Sequence, residues 1–541
     1  MSSEQNEGIS SAEIHDAVVV GAGFAGLYAL YRLRQLGLSV RVLEQGGDIG
    51  GTWYWNRYPG ARCDVESLQY SYSFSDDIQQ AWSWSERFAS QSELLRYMHF
   101  VADRLDLNRD IELEARVVSA FYDAERRRWM VTTEAGRRLD TRFLVFATGC
   151  LSTPVEPDIP GLERFEGKVY RTSRWPQEPV DFGGRRVAVV GTGSSGIQAI
   201  PVIAEQAARL YVLQRTPNYS IPGYNGPMDP DFQRDWKANY AERRAQQLAT
   251  RNYNFVNAGT EPGRDVPQAE RERAFEARWR TGGLGYGYAY TDVTSDPEVN
   301  AHASDFVRRK IAETVRDSDV AARLQPTEYK IGGRRLCVDN GYYETFNRTN
   351  VTLIDMRAEP LTTMTPGGFA TPAGEYAIDD LVLATGFDAF TGALDRIDIR
   401  GRDGLPLRRK WADGPANYLG LSVAGFPNMF LITGPGSPSV LSNMVMSIEQ
   451  HVNWIGACIG DLLAAGHAVI EAKQDSEESW MRHIGAIAEA SLIFKTRSWY
   501  TGANVSGKKK SYFMYMDGTL KYTKELNEAG RETNYAGFSF E

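Results

Sequence analysis

Two glycine turns, 170 positions apart, constrain this 541-residue chain more than any other feature. The first, Gly21-Ala22-Gly23-Phe24-Ala25-Gly26, is entered from the apolar run Ala17-Val18-Val19-Val20 and left through a helical stretch over 27–37. A second apolar run, 39–43, ends at Glu44. The layout returns at Gly191-Thr192-Gly193-Ser194-Ser195-Gly196. That turn is entered from 186–190, left through a helical stretch opening Ile197-Gln198, and followed by a strand over 210–214 and by Arg215-Thr216. Strand, tight turn, helix and strand make a βαβ unit. In each turn one glycine permits the bend, one lets a pyrophosphate approach the backbone, and one lets helix and strand pack closely. The helix start then offers free N–H groups and the positive end of its dipole to phosphate. Repetition of the whole unit implies two dinucleotide folds.

The residue closing each unit assigns its nucleotide. Glu44 stands 18 positions after Gly26, where a carboxylate accepts from ribose hydroxyls. Arg215 holds the corresponding place in the second unit; a guanidinium binds a 2′-phosphate with paired hydrogen bonds, and an acid there would repel it. Thr216 and Arg334 are further phosphate candidates, although the sequence does not bring Arg334 near. The expectation is FAD on the first fold and NADPH on the second, with hydride passing from nicotinamide to flavin. The plain alternatives are a solvated strand-end carboxylate for Glu44 and an ordinary surface arginine for Arg215.

Two more apolar runs, 143–149 and 381–386, end in Ala-Thr-Gly and read as strands that close each fold and hand the chain to its neighbour. Residues 229–320, rich in Arg, Glu, Gln and Ala, read as mostly helical, with a loop at 259–267. The expected plan is an α/β protein with two Rossmann-like dinucleotide-binding domains and a mostly helical insertion in the second. The FAD-binding domain takes 1–151 and 387–541, with a long helix near 447–463. The NADP-binding domain takes 152–228 and 329–386, and the insertion takes 229–328.

Composition closes off other classes. A net charge of −9 argues against nucleic acid as a partner. The four cysteines, Cys63, Cys150, Cys337 and Cys458, form no CxxC, and the six histidines show no ligand spacing, so neither a disulfide framework nor a metal site is expected. No apolar run reaches membrane-spanning length, and the polar residues 1–16 hold no signal-peptide core, so a cytoplasmic protein without a membrane partner is expected. Lys508-Lys509-Lys510 reads as a solvated loop. Nothing in the sequence sets the oligomeric state.

Residues 50–64 read GGTWYWNRYPGARCD. Gly50, Gly51, Trp53, Tyr58, Pro59, Gly60 and Asp64 match position for position a signature of the type I Baeyer–Villiger monooxygenases, which the chain resembles through both glycine turns and both Ala-Thr-Gly runs. Residues 434–452 and 498–504 are similar to the phenylacetone and steroid monooxygenase branch. A second signature reads FEGKVYRTSRWP: Phe165, Gly167, Trp175 and Pro176 fit, but Arg171 takes the family's histidine position. Arginine keeps a cationic donor and loses histidine's acceptor nitrogen and its titration near neutral pH, which bears on how NADPH oxidation is coupled to oxygenation.

The resemblance implies that NADPH reduces FAD, that O2 adds to the flavin as a peroxide anion, and that this anion attacks a ketone carbonyl to yield an ester or lactone. Cyclic, aromatic or bulky ketones are implied, with sulfoxidation as a side activity. It implies a catalytic arginine at Arg335, a cation that keeps its proton near neutral pH, and a carboxylate partner at Asp64. It implies flavin contacts from Gly51, Thr52, Trp53, Tyr54, Trp55, Tyr70, Val117 and Met444, and NADP contacts from Arg62, Cys63, residues 192–198 and Trp499. A ketone pocket would be lined by Cys150, Leu151, Ser439, Val440, Leu441 and Ser442. Read alone, the aromatic residues serve equally as core filling, Asp64 as a turn residue and Arg335 as a surface ion-pair partner. Competing functions are an N- or S-oxygenating flavin monooxygenase and a non-catalytic NADP-binding redox protein. A flavin disulfide reductase would need a cysteine pair, and Cys63 has no neighbouring partner.

Overall fold

The computed structural model describes residues 12–541, so most of the polar opening segment lies outside them. The first sheet is centred on Glu13–Val20, with Val40–Leu43 parallel on one side and Arg138–Phe146 parallel on the other. Ile111–Glu112 extends the first side. Val117–Asp123, Arg128–Thr133 and Arg138–Phe146 form an antiparallel meander on the second. Two late strands, Asp398–Arg400 and Met429–Leu431, come back to this sheet beside Val117–Asp123 and Arg138–Phe146.

The second sheet is wholly parallel, in the order Val351–Asp355, Arg209–Gln214, Arg186–Val190, Asp380–Leu383, Lys168–Arg171. Val187, Ala188 and Val189 are fully buried. A parallel strand covered on both faces has no solvent side, which is why it reads as an unbroken apolar run.

The chain crosses between the sheets at the two Ala-Thr-Gly turns. Gly149 and Gly386 sit at φ +69° and +84°, a region that glycine enters without steric cost. The two crossings then run antiparallel. Phe390 N donates to Cys150 O (2.8 Å), Asp388 N to Thr153 O (2.8 Å) and Val155 N to Gly386 O (3.0 Å).

The helices Pro230–Ala238, Tyr240–Leu248, Gln268–Thr281, Pro297–Thr314 and Ser318–Leu324 occupy the insertion. Asp229, Asp296 and Asp317 cap three of them by accepting first-turn N–H groups. The sequence places the whole insertion in the second fold; the structure divides it. Trp236 and Tyr240 pack into the first core with Trp84 and Tyr97, while Phe275, Val299 and Phe306 pack into the second. Buried Arg244 shows the reason. Its guanidinium donates to Gln69 O, Ser71 O and Ser71 Oγ, all in the first fold, and a buried charge is tolerated only where its donors are satisfied.

The solvated reading of 508–510 also needs correction. Lys509 and Lys510 are exposed, but Lys508 is half-buried and ion-paired with Asp388. A run of like charges shows no buried partner in the sequence, so that pairing was not legible. Among the described residues, no helix is long and apolar enough to cross a membrane.

Candidate active site

Each glycine turn folds as its spacing demands. A Cβ at Gly21 would stand 2.6 Å from Ala147 O, and one at Gly26 would stand 1.8 Å from Gly21 O. The helix Phe24–Arg34 starts at Gly23 with no side-chain cap and no acid in its first turn. The helix Ser194–Gln206 starts at Gly193 in the same way. Elsewhere Ser75, Ser90, Asp229, Asp296, Asp317 and Asn443 cap helix starts. The starts of Gln268–Thr281, Gln474–Ala490 and Thr519–Glu528 also lack a side-chain cap, but only the two glycine-turn helices follow a strand through a Gly-x-Gly-x-x-Gly bend, which aims their free donors at an external anion such as a pyrophosphate. No protein atom lies within 4 Å of a Cβ placed at Gly193, so its front is open to a ligand.

Glu44 is 4% exposed, and burial pushes its carboxyl above the usual range. Its oxygens accept from Ala22 N (2.8 Å) and Gly46 N (2.7 Å). Each oxygen retains a second lone pair for a ribose hydroxyl. Phe24, Tyr70 and Trp53 meet edge-on, with centroids 5.5 and 6.0 Å apart. The buried Trp53 Nε1 finds no protein partner among the described residues and remains an unspent donor. Tyr54 packs edge-on against Trp55, and Thr52 opens their helical turn, with its carbonyl accepting from Asn56 N. Val117 is buried two residues beyond Ala115, whose N–H donates to Glu44 O. Ala25 is buried in the first turn of its helix.

In the second turn Thr192 Oγ1 donates to Thr216 O (3.0 Å), tying the glycine loop to the end of the next strand. Arg215 is exposed and has no ion-pair partner among the described residues, so its guanidinium is free for a phosphate. Arg334, which the sequence could not place, lies 4.9 Å over the ring of Tyr329. That tyrosine's hydroxyl donates to Asn218 Oδ1 and Pro217 O, directly after Thr216.

The 50–64 signature docks on this second unit. Tyr58 OH donates to Gln198 Oε1 (2.9 Å), Gln198 Nε2 donates to Arg62 O (3.1 Å), and a Cβ at Gly60 would meet Gln198 O at 2.3 Å. Ser195 and Ile197 flank this contact, and Ser194 Oγ sits 3.4 Å from Cys337 Sγ. Arg62's own guanidinium is taken by Glu86 (2.6 Å) and Phe88 O (2.7 Å), so it meets the second unit through its backbone. Cys63 is buried and accepts from Val65 N.

Asp64 is thereby held between the folds, where it meets Arg335. Arg335 Nε and a terminal nitrogen donate to the two carboxylate oxygens at 2.9 and 2.8 Å. The other terminal nitrogen donates to Val440 O at 2.6 Å. The side chains are 21% and 25% exposed. Burial disfavours the guanidinium's charge, but Asp64 outweighs it and holds the group more firmly protonated than a free arginine. Tyr500 and Tyr288 stand close enough to feel that charge, and neither was singled out by sequence reasoning.

Val440, whose carbonyl Arg335 holds, belongs to one apolar cluster. It contains Cys150 and Val440, with Leu151, Leu441, Met444 and Trp499 packed against it. Ala389, Phe390, Tyr500, Phe513 and Met514 complete it; Tyr500 lies in the 498–504 stretch, and no motif marks the other four. Burial raises the Cys150 thiol to about 11, so it behaves as a small apolar group. Ser439 is buried at φ +44°, and Ser442 is bonded to Ser447 and Ser439 O. Arg171 pairs with Glu156 (3.0 Å) on the chain just past the first crossing, and Trp175 N donates to Trp55 O.

Comparison with known proteins places this arrangement. A family model described as pyridine nucleotide-disulphide oxidoreductase matches residues 18–264. Acetone monooxygenase (methyl acetate-forming) of Gordonia sp. (strain TY-5) is 40% identical over 97% of this chain and 98% of its own length. A phenazine N-monooxygenase of Lysobacter antibioticus is 38% identical over 97% and 96%. Among solved structures, a steroid monooxygenase bound to NADP superposes with a TM-score of 0.94 at 47% identity, over 97% of this chain and 99% of that one. The double nucleotide fold, the bridging Asp64–Arg335 pair and these full-length similarities together show that the chain belongs to the Baeyer–Villiger monooxygenases, which use FAD and NADPH.

Proposed function

We propose that Asp64 and Arg335 are the catalytic pair of a ketone monooxygenase whose substrate packs in the apolar cluster around Cys150, Leu151 and the 439–442 loop. Overall, a ketone, O2, NADPH and a proton become an ester or lactone, NADP+ and water. The carrying observation is the three-point hold on Arg335 by Asp64 and Val440 O, beside the apolar cluster to which Val440 belongs. Bound FAD, reduced by NADPH, supplies the oxygen-activating redox chemistry.

The chain's own residues do the rest. The N–H groups following Gly23 and Gly193 bind the two pyrophosphates, Glu44 accepts from the FAD ribose, and Arg215 with Thr216 and Arg334 receives the 2′-phosphate of NADPH. Trp53, Tyr54, Trp55, Tyr70, Val117 and Met444 surround the flavin. Arg335 keeps a fixed positive charge where the reaction develops a negative one, and its confinement by Asp64 spares reorganisation during reaction. The apolar cluster excludes water, which would otherwise divert reducing equivalents into hydrogen peroxide. Arg171, paired with Glu156 at the crossing, keeps a cation at the joint between the folds. An apolar, aromatic-lined wall suits cyclic, aromatic or bulky ketones.

Similarity to the phenazine N-monooxygenase supports a second reading, oxygenation of a heteroaromatic nitrogen or a sulfide in the same pocket. A panel of ketones, a sulfide and an N-heterocycle, incubated with holoenzyme, NADPH and O2 and analysed by mass, decides between them. Ester formation supports the first reading; N-oxide without ester refutes it. A cytoplasmic setting accords with use of NADPH and with four cysteines that are free and buried.

A further inference from the structure

Lys508 has no part in the cofactor, catalytic or ketone contacts proposed above, yet its partners converge on the ketone cluster. Its ammonium pairs with Asp388 and donates to Thr391 Oγ1 (2.7 Å) and Ala389 O (3.4 Å). It also lies 5.3 Å from the ring centre of Phe513. The first three partners flank Phe390, whose φ is +66°. A bulky aromatic residue reaches that left-handed region at a steric cost and stays there only when its surroundings over-determine it. Here they do. Phe390 N is held by Cys150 O, and its ring is stacked between Trp499 (5.9 Å, 23°) and Phe513 (5.1 Å, 12°).

Two remote pieces of chain meet in this wall: the second crossing, which carries Phe390, and the 499–513 stretch, which carries Trp499, Phe513 and Lys508 itself. Lys508 is the side chain that ties them by charge, and Asn504 Nδ2 adds a neutral tie to Phe387 O (2.8 Å). The ion pair is sheltered, at 16% and 23% exposure, and Asp395 is a further carboxylate facing the ammonium. The neighbouring lysines hold nothing of the kind. Lys509 meets Asp413 at the surface, and Lys510 lies 3.9 Å from the ring centre of Phe494.

We propose that Lys508 is a positioning residue for ketone selection: by gripping Asp388 and Thr391 it fixes Phe390, and so sets the Trp499–Phe390–Phe513 wall against which the ketone packs. The proposal rests on reading the cluster as the ketone pocket. A purely stabilising ion pair would lower melting temperature and scale turnover of every ketone alike. A wall-positioning residue changes the discrimination between ketones of different bulk.

The test uses holoenzyme carrying K508M, K508R, T391V, K509M or L441F, with kcat and KM measured for a small aliphatic and a bulky aryl ketone. K508M is expected to shift the ratio of the two kcat/KM values roughly tenfold, the discrimination a methylene-scale misfit produces in an apolar pocket. The shift is carried by KM, while the rate of flavin reduction by NADPH is unchanged. T391V, neutral and isosteric, moves the ratio in the same direction by less and decides the matter should K508M not fold. K508R recovers part of the ratio, and K509M leaves it alone. A shift in L441F with wild-type ratios in K508M and T391V would overturn the lysine assignment while sparing the pocket. Wild-type ratios in all three would overturn the pocket reading with it.

Discussion

Arg335→Ala separates the two halves of the proposed reaction. The side chain makes three charge-assisted hydrogen bonds, two to Asp64 and one to Val440 O, and its loss leaves the Asp64 carboxylate without its cation. A hydrogen bond to a charged group contributes about 1.5–3 kcal/mol, and a quarter to a fifth exposure of both partners puts each bond near the lower end. The expected loss of stability is about 4–5 kcal/mol, which a well-folded domain survives. The chemical cost is larger, because removal of a preorganised charge-stabilising group lowers kcat by about 10² to 10³. Anaerobic mixing with NADPH follows bleaching of the flavin; aerobic incubation with a ketone then measures ester by mass and peroxide by a coupled dye. Bleaching at the wild-type rate is expected, with peroxide replacing ester. Arg335→Lys keeps the charge, but a single ammonium cannot hold both Asp64 oxygens and Val440 O together, so its ester yield falls between the two. Wild-type ester yield from Arg335→Ala would refute the role assigned to this residue.

Gly193→Ala should leave melting temperature and flavin content unchanged, because no protein atom lies within 4 Å of the new methyl, while KM for NADPH rises roughly tenfold. Gly26→Ala should yield no yellow folded protein, since its Cβ would lie 1.8 Å from Gly21 O. Arg215→Glu, which replaces the proposed phosphate contact with repulsion, should lower the preference for NADPH over NADH by about 10²-fold in kcat/KM. Asp339 is buried, and burial raises its carboxyl from 3.8 to about 6. Its folded value thus exceeds its unfolded one, so the stability it contributes is complete below pH 3.8 and lost as pH rises through about 6. Asp339→Asn keeps an acceptor for Gly341 N and Tyr342 N and removes this loss, so thermal melts should show the variant gaining on wild type above pH 6, by no more than about 3 kcal/mol. A gain that is equal at pH 4 would show that the titration is not the cause.

Much of this protein is written locally. Phosphate binding through backbone N–H groups needs glycines at set intervals between a strand and a helix, so Gly21, Gly26, Gly191 and Gly196 announce both folds without reference to the rest of the chain. The places of Glu44 and Arg215 are legible for the same reason, since each stands at the end of the strand that follows its turn and helix. Asp64 and Arg335 stand 271 residues apart, and only the resemblance of their flanking motifs brings them together before the fold does.

The tertiary structure alone decided three other things. It split the helical insertion between two cores, because Arg244 needs carbonyls that belong to the first fold. It half-buried Lys508 against Asp388 in a charge run that reads as solvated. It stacked Phe390 between Trp499 and Phe513 in the aromatic wall that we propose faces the ketone. Turns and caps follow from the φ preference and the donors of a few adjacent residues. A wall follows from which remote surfaces pack, and an aromatic residue in a stretch without periodicity looks the same whether it fills a core or lines a pocket.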